Sequence, residues 1–128
     1  MADQKVRVFT IDRKAGAQVT ASAPIQRQAL ATSPDTWVGV AHTHAGLASE
    51  WHHHSDNDTY GYMISGSMRI EFGPGGKEAA EVGSNDAFHV PKRIIHREVT
   101  AESEPGVIFL VRVGSGEPVV NVDGPEGS

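Results

Sequence analysis

Hydrophobic and polar residues alternate with a period of two along most of the chain. Because successive side chains of a β-strand point to opposite faces, this alternation predicts strands that each bury one face. The predicted strands cover residues 5–11, 36–43, 60–64, 67–72, 79–82, 86–90, 94–100, 107–113 and 118–122. The best helical pattern, at residues 25–31, predicts about two turns of helix at most. The pattern therefore predicts an all-β protein.

Glycine, proline and small polar residues separate these strands at intervals of roughly ten residues. Short strands at this spacing are typical of a β-sandwich or barrel. The 128 residues fit one domain, and no repeat or linker interrupts them. We assign residues 1–114 to a β-barrel domain that includes the N-terminal strands. Residues 115–128 are assigned to a C-terminal strand and a flexible acidic tail.

The composition limits the chemistry and the partners of this domain. Hydrophobic residues make up 38% and charged residues 21% of the chain, as in ordinary soluble globules. There is no cysteine, so a metal ion would be bound through nitrogen or oxygen rather than through thiolates. The net charge of −5 argues against nucleic acid as a partner. No apolar run has the length of a signal peptide core or a membrane span, so we expect a cytoplasmic protein without a membrane partner.

Two of the seven histidines are spaced to face the same way. If the segment that begins at Trp51 enters a strand, His52 and His54 project to one face and His53 to the other. Imidazole nitrogens at this spacing can both reach one ion at about 2.0–2.1 Å, the usual distance for zinc. Taken alone, however, such a pair is more often exposed or hydrogen-bonded than bound to a metal.

Residues farther along extend this pair into a longer pattern. Downstream of His54 the pattern consists of Thr59, Gly66, Gly83, Pro91 and His96. Six residues separate the threonine from the first glycine, seven separate the second glycine from the proline, and four separate the proline from the histidine. This order and spacing resemble the two motifs of the cupin superfamily. The first motif contains two histidines, a glutamate and a glycine, and the second contains a glycine, a proline and a histidine.

The resemblance implies a small single-domain cupin, an all-β jelly-roll barrel, with one divalent transition-metal ion bound by His52, His54 and His96. The glutamate ligand of the family is replaced by Thr59, a poor ligand for such an ion. Two arrangements remain open: three imidazoles alone bind the ion, or Asp58 adds a carboxylate. Strand alternation puts Asp58 on the face opposite to Thr59, which favours the three histidines with Asp58 beside them.

Further polar residues are candidates for the same site. His42 could supply a fourth ligand, although a half-exposed strand histidine is the simpler interpretation. His89 and Glu98 are candidate catalytic residues that would transfer protons, because imidazole titrates near neutrality and Glu98 shares a face with His96. Glu98 could equally support the ligands as a hydrogen-bonding partner. The alternative for His89 is a hydrogen-bonded structural role. The alternative for Glu98 is a surface ion pair with Arg97 or Lys92.

Strand alternation also predicts which side chains face solvent. If Thr59 faces the metal, Tyr60 and Tyr62 lie outside the barrel. Arg69 inside the barrel could bind a substrate carboxylate through its planar fork. A position on the solvent side, paired with Glu71, is the better interpretation for this arginine.

Among cupins, a three-histidine set without the glutamate resembles the thiol dioxygenases and the diketone-cleaving dioxygenase. The resemblance implies a dioxygenase-like oxidoreductase that acts on a small molecule, with iron as the expected metal and manganese, nickel, copper or zinc as alternatives. The other readings are an isomerase, lyase or decarboxylase that uses the ion as a Lewis acid, and a non-catalytic module that binds a small ligand. Small cupins commonly pair, so a homodimer is expected, with the N-terminal strand added to a neighbour's sheet.

Overall fold

The computed structural model describes residues 5–11 and 25–126, whose regular structure is almost entirely β-strand. Ten strands follow one another: β1 (Ile25–Ser33), β2 (Thr36–Thr43), β3 (His52–His53), β4 (Asp58–Ser65), β5 (Met68–Phe72), β6 (Glu78–Val82), β7 (Ala87–Val90), β8 (Arg97–Thr100), β9 (Gly106–Val113) and β10 (Val120–Asn121). A 3-10 turn, Pro74–Gly76, lies between β5 and β6. Within the described ranges there is no α-helix, and hence no helix that could cross a membrane. The all-β prediction is confirmed.

The strands form two main antiparallel sheets and a short ribbon. The larger sheet has the order β1-β2-β9-β4-β7, the smaller has the order β6-β5-β8, and β10 pairs with β3. Several consecutive strands, such as β4 and β5 or β8 and β9, belong to different sheets, as in a jelly roll. The predicted jelly-roll barrel of a single domain is therefore confirmed.

Apolar side chains from both sheets fill the space between them. Met63, Ile108 and Leu110 come from the larger sheet, and Met68 and Ile70 come from the smaller one. Each of these side chains is at most 6% exposed, and within each strand the buried residues stand two positions apart. The period-two pattern of the sequence thus marks the faces that form the core.

Outward-facing residues follow the same alternation. Tyr60 and Tyr62 are 49% and 41% exposed, as predicted. Arg69 lies on the solvent side, where its guanidinium is 2.9 Å from the carboxylate of Glu71. The predictions for these three residues are confirmed.

Two predicted elements differ from the structure. Residues 25–31, predicted to form two turns of helix at most, belong to β1, because pairing with β2 along the whole strand outweighs the helix propensity of alanine, glutamine and leucine. Residues 5–11, predicted as a strand, pair with no strand in the described part of the chain. Val6 and Val8 in this segment are 93% and 87% exposed. A strand needs a pairing partner, and within the described residues this segment has none.

Candidate metal centre

Two antiparallel segments bring the histidines of the two sequence motifs together. His52, at the start of β3, and His96, just before β8, face each other across a β-bridge. In this bridge the backbone N–H of each residue donates to the carbonyl of the other at 2.9 Å. His54 lies two residues after His52, and Glu98 lies two residues after His96. Because this spacing returns side chains to one face, all four converge in the interior of the barrel.

The four side chains form a compact group. One ligand atom from each residue lies within 4.8 Å of those from the others. His54 Nε2 is 3.3 Å from His96 Nε2, and the two carboxylate oxygens of Glu98 are 3.5 Å from His52 Nε2 and 3.3 Å from His96 Nε2. The three histidines are at most 2% exposed. The structure thus brings together the three residues that the sequence singles out as ligands.

Backbone hydrogen bonds determine which ring nitrogen faces the centre of this group. Each Nδ1 atom lies close to a carbonyl oxygen: His52 to Glu50 at 2.7 Å, His54 to Pro118 at 2.6 Å and His96 to Ile94 at 2.9 Å. Since a carbonyl oxygen can only accept, each Nδ1 carries a proton, and in the neutral ring each Nε2 presents a lone pair. Three lone pairs and one carboxylate therefore face one another.

This arrangement fits a bound cation. Two neutral rings that carry their protons on Nδ1 cannot hydrogen-bond through Nε2, so the contact between His54 and His96 brings two lone pairs together. The Nε2 atom of His52 is buried and has no hydrogen-bond partner. A divalent ion bound by the Nε2 atoms and the carboxylate would satisfy all of these groups. The donor set of three imidazoles and one carboxylate is thus suitable for a transition-metal ion.

Burial and nearby charges set the protonation of these side chains. Burial, followed by the charge of Arg112, lowers the pKa of His54 to about 3. Burial also opposes a charge on His96, but the adjacent carboxylate of Glu98 outweighs burial and raises the pKa of His96. Burial disfavours the ionised form of Glu98 too, yet the neighbouring imidazoles of His52 and His96 hold the pKa of this carboxyl well below its ordinary value. His54 is therefore neutral and Glu98 ionised at neutral pH.

Glu98 lies beside the histidines rather than at the surface. The sequence suggests a partner of the ligands or a proton-transferring residue, with a surface ion pair as the alternative. Its side chain is only 13% exposed and belongs to the four-residue group, so the surface alternative is wrong. Ser49 Oγ donates to Glu98 Oε2 at 2.9 Å and so helps to orient the carboxylate. The shared face with His96 was visible in the sequence. The family spacing instead predicts a carboxylate ligand at position 59, where this chain has Thr59, or one residue earlier, at Asp58.

Asp58 and His89 lie outside the four-residue group. His89 Nε2 is 2.8 Å from an oxygen of Asp58, and the His89 ring stacks on Tyr60 with centroids 4.6 Å apart. Phe88 and Val90 pack in or against the core, so strand alternation turns His89 to the outer surface, where it is 44% exposed. Asp58 is thus outside the group, as in the favoured arrangement of the sequence analysis. His89 is hydrogen-bonded to Asp58 but also lines a surface pocket with His96, so its catalytic role stays a prediction.

His42 does not join the group either. It is 1% exposed, rather than half-exposed as the sequence suggests. Its neighbour Ala41 packs in the core between the sheets, so alternation along β2 turns His42 to the opposite face. Among the described residues, the group therefore contains no fourth imidazole.

A small interior cavity borders the group. Its volume is about 20 Å³, roughly enough for one water molecule. His54 and Glu98 form part of its wall, and so do Thr59 and two arginines, Arg27 and Arg112. Arg112 is 3% exposed and stacks on the ring of Trp37 at 4.7 Å.

These two arginines were missed in the sequence. Arg112 follows Ile108 and Leu110 at inward positions of β9, so its place in the alternation was a usable signal. Arg27 gave no comparable signal, because residues 25–31 were interpreted as helical. Arginine is also mostly exposed in proteins, so an interior position is not the default expectation for either residue.

The C-terminal segment contributes to the candidate centre. β10 pairs with β3, and Pro118 supplies the carbonyl oxygen that accepts from His54 Nδ1. Asn57 Nδ2 donates to the carbonyl of Ser115 at 3.0 Å, and the Val122 N–H donates to the carbonyl of Trp51 at 2.9 Å. The predicted C-terminal strand is present as β10, and residues 115–122 hydrogen-bond to the barrel. Residues 127–128 of the predicted flexible tail lie outside the described residues.

Comparison with known proteins shows which family and which relatives this chain resembles. The Cupin domain family matches residues 39–113. The uncharacterized protein YdbB of Bacillus subtilis (strain 168) is 38% identical over 48 residues, which cover 38% of this chain and only 41% of that protein.

Two solved structures are similar in fold. An uncharacterized conserved protein with a double-stranded β-helix domain from Klebsiella pneumoniae has a TM-score of 0.72 at 18% identity, over 92% of this chain and 98% of that chain. A putative mannose-6-phosphate isomerase from Ralstonia eutropha has a TM-score of 0.63 at 27% identity, over 77% of this chain and 94% of that chain.

Proposed function

Because the chain belongs to the Cupin domain family, we propose that it is a metal-dependent enzyme acting on a small organic molecule. One divalent transition-metal ion is bound by His52, His54, His96 and Glu98. The observation that carries this proposal is the set of three Nδ1–carbonyl hydrogen bonds, which aim the Nε2 lone pairs at one another and at the carboxylate. Hydrogen bonds of this kind orient the histidine ligands of metal sites and set their tautomers.

Iron is the first candidate metal. A set of imidazole and carboxylate donors without thiolates suits iron, manganese, nickel, copper and zinc, and imidazole–carboxylate sites are typical of non-haem iron oxygen chemistry. When bound, the ion supplies positive charge that polarises a substrate oxygen and, if it is iron, a position for dioxygen. Since affinity rises toward copper, the metal found in a purified sample need not be the working one.

Two reaction classes are compatible with such a site. The sequence resemblance to three-histidine dioxygenases supports an oxygen-dependent reaction. Glu98 departs from the pure three-histidine set, and a group of three imidazoles and one carboxylate also suits a Lewis-acid isomerase, lyase or decarboxylase, the second candidate. The similarity to a putative mannose-6-phosphate isomerase also supports this second class.

Metal analysis of matched histidine variants tests the proposed site. We expect wild-type protein to bind about one equivalent of iron or zinc per chain and His96→Ala to lose most of it. His44→Ala, which removes a partly buried histidine outside the group, serves as the control and should bind as wild type does. Equal metal content in all three proteins, or none in the wild type, would contradict the proposal.

Oxygen dependence separates the two reaction classes. Iron-loaded protein is mixed with β-diketones, thiols and catechols while dissolved oxygen is recorded. Oxygen uptake supports the dioxygenase. Turnover that persists under argon with zinc or manganese supports the Lewis-acid enzyme. Ligands that stabilise the protein against heating without any turnover would indicate a binding module and contradict both classes.

A further inference from the structure

Two arginines share the interior cavity with the metal-binding group, and we propose that this cavity binds the carboxylate of a small organic acid. The inference rests on the proposed function, because it names the substrate class of the same site. It is carried by Arg27 and Arg112, neither of which belongs to the four-residue group.

Strand pairing directs both arginines into the barrel. Arg27 on β1 stands opposite Ala41 on β2, and Ala41 packs in the core between the sheets. Arg112 on β9 stands opposite Thr59 on β4, which is 2% exposed. Cross-strand partners lie on the same face of a sheet, so both guanidinium groups reach the interior. There they line one cavity with His54 and Glu98.

The interior carries more positive charge than its own carboxylate can balance. The Nε atoms of both arginines are shielded from solvent and have no hydrogen-bond partner. Glu98 is the nearby carboxylate that stabilises their charge, but its oxygens already lie within 3.5 Å of His52 and His96. Burying a guanidinium without an acceptor is unfavourable. An anion in the cavity would supply the acceptor, and a bound divalent ion increases the need for one.

Arg112 keeps its charge in this setting. Burial, followed by repulsion from Arg27, lowers the pKa of Arg112 to about 10, so the group remains protonated at neutral pH. The charged guanidinium of Arg112 therefore shares the cavity with Arg27.

Shape and size favour a carboxylate over a phosphate. The planar fork of a guanidinium matches a carboxylate with two parallel hydrogen bonds. The interior space of about 20 Å³ admits only a group of roughly the size of one water molecule. A groove of about 150 Å³ adjoins it, since Ile25 and Arg27 line both spaces and His52 lines the groove. A small acid in the groove would therefore lie against Arg27, with one carboxylate oxygen directed toward the interior space.

Calorimetric titration of zinc-loaded protein tests the inference. The probes are acetate, glycolate and pyruvate, with neutral glycolamide and inorganic phosphate for comparison. We expect one saturable site for at least one of the three acids and no binding of glycolamide. Arg27→Gln and Arg112→Lys should each weaken binding by about tenfold or more, because each loses hydrogen bonds between charged groups. Arg69→Gln, on the outer face, is the matched control and should bind as wild type does.

Metal content measured in the same samples separates this inference from the proposed function. A wild type that holds zinc but binds no acid, prefers phosphate or binds equally well after Arg27→Gln overturns the inference and leaves the metal site intact. A wild type that takes up no metal contradicts the proposed function itself. If circular dichroism shows that Arg112→Lys does not fold, the half-buried Arg27 variant decides the outcome.

Discussion

Glu98 is the single residue on which the composition of the candidate metal site depends most. Thr59 stands where the family resemblance places a carboxylate, and its hydroxyl is a poor substitute. Glu98 comes from the other motif and reaches the same group, with its oxygens 3.3–3.5 Å from two Nε2 atoms. A carboxylate brings a negative charge to a divalent ion, which three neutral imidazoles cannot do. In the proposed site the ligand set is therefore completed from β8 rather than from β4.

Replacing this carboxylate should weaken metal binding. We expect Glu98→Gln to lower the affinity for zinc by about tenfold or more, because the ion loses its charged oxygen ligand. Competition with a chelating dye measures the affinity. Glu81→Gln on the exposed side of β6 is the control and should have no effect. An unchanged affinity in Glu98→Gln would show that the carboxylate is not a ligand.

At the scale of elements, the sequence pattern locates the strands better than it locates their partners. β2, β4, β5 and β9 follow a clear alternation and were predicted nearly at their observed bounds. β1 was missed because its residues favour helix in isolation, and only pairing with β2 makes it a strand. Because Arg27 lies in this segment, its inward position is not predicted either. The ligand histidines were found because two of them share one short segment and the third belongs to a motif of fixed spacing.

The C-terminal segment is an element whose removal should affect the site more than the barrel. A chain ending at Gly114 lacks Pro118, whose carbonyl holds the Nδ1 proton of His54. We expect zinc affinity to fall by about 10–100-fold, as when supporting partners of metal ligands are removed elsewhere. A chain ending at Val122 keeps this hydrogen bond and is the control. Equal affinities of the two shortened chains in dye competition would argue against a role for the segment.

Glu71 links β5 to β8 and gives the barrel a pH-dependent stability. Its carboxylate accepts from Arg97 at 2.6 Å and pairs with Arg69 on its own strand. Partial burial favours the neutral acid, but these two guanidinium groups outweigh it and lower the pKa of Glu71. A folded-state pKa below the unfolded value of about 4.3 stabilises the protein above that pH, and this contribution is lost as the pH falls through the folded-state value.

Glu71→Gln should therefore be less stable than wild type at neutral pH by about 0.5–1 kcal/mol, a typical value for partly exposed pairs. The difference should shrink as the pH is lowered from about 4.3. Urea unfolding at pH 7 and at acid pH measures it, with Glu81→Gln as the control. A difference that stays constant across this range would contradict the assignment.

At the scale of the whole molecule, the sequence does not predict which side chains meet inside the barrel. Charged residues are usually assigned to the surface, and only the alternation of β9 points Arg112 inward, so the sequence does not predict two guanidinium groups beside three imidazoles and a carboxylate. Their convergence depends on the packing of three sheets, which no local pattern encodes. The outward Arg69, in contrast, was correctly placed from alternation alone.

The N-terminal segment offers a test of the expected homodimer. Val6 and Val8 stand two positions apart and are nearly fully exposed, so a strand formed by residues 5–11 could bury them against another copy of the chain. We expect the protein to elute as a dimer in size-exclusion chromatography with light scattering. Val6→Asp combined with Val8→Asp should shift it to a monomer. A wild type that is monomeric at about 100 μM would contradict this expectation.

The most direct measurement is X-ray diffraction at the absorption edge of the bound metal, from crystals of the zinc- or iron-loaded protein. One strong anomalous peak is predicted about 2.0–2.2 Å from the Nε2 atoms of His52, His54 and His96 and from an oxygen of Glu98. A peak at another position, or no peak in crystals of protein supplied with the metal, would contradict the proposed centre.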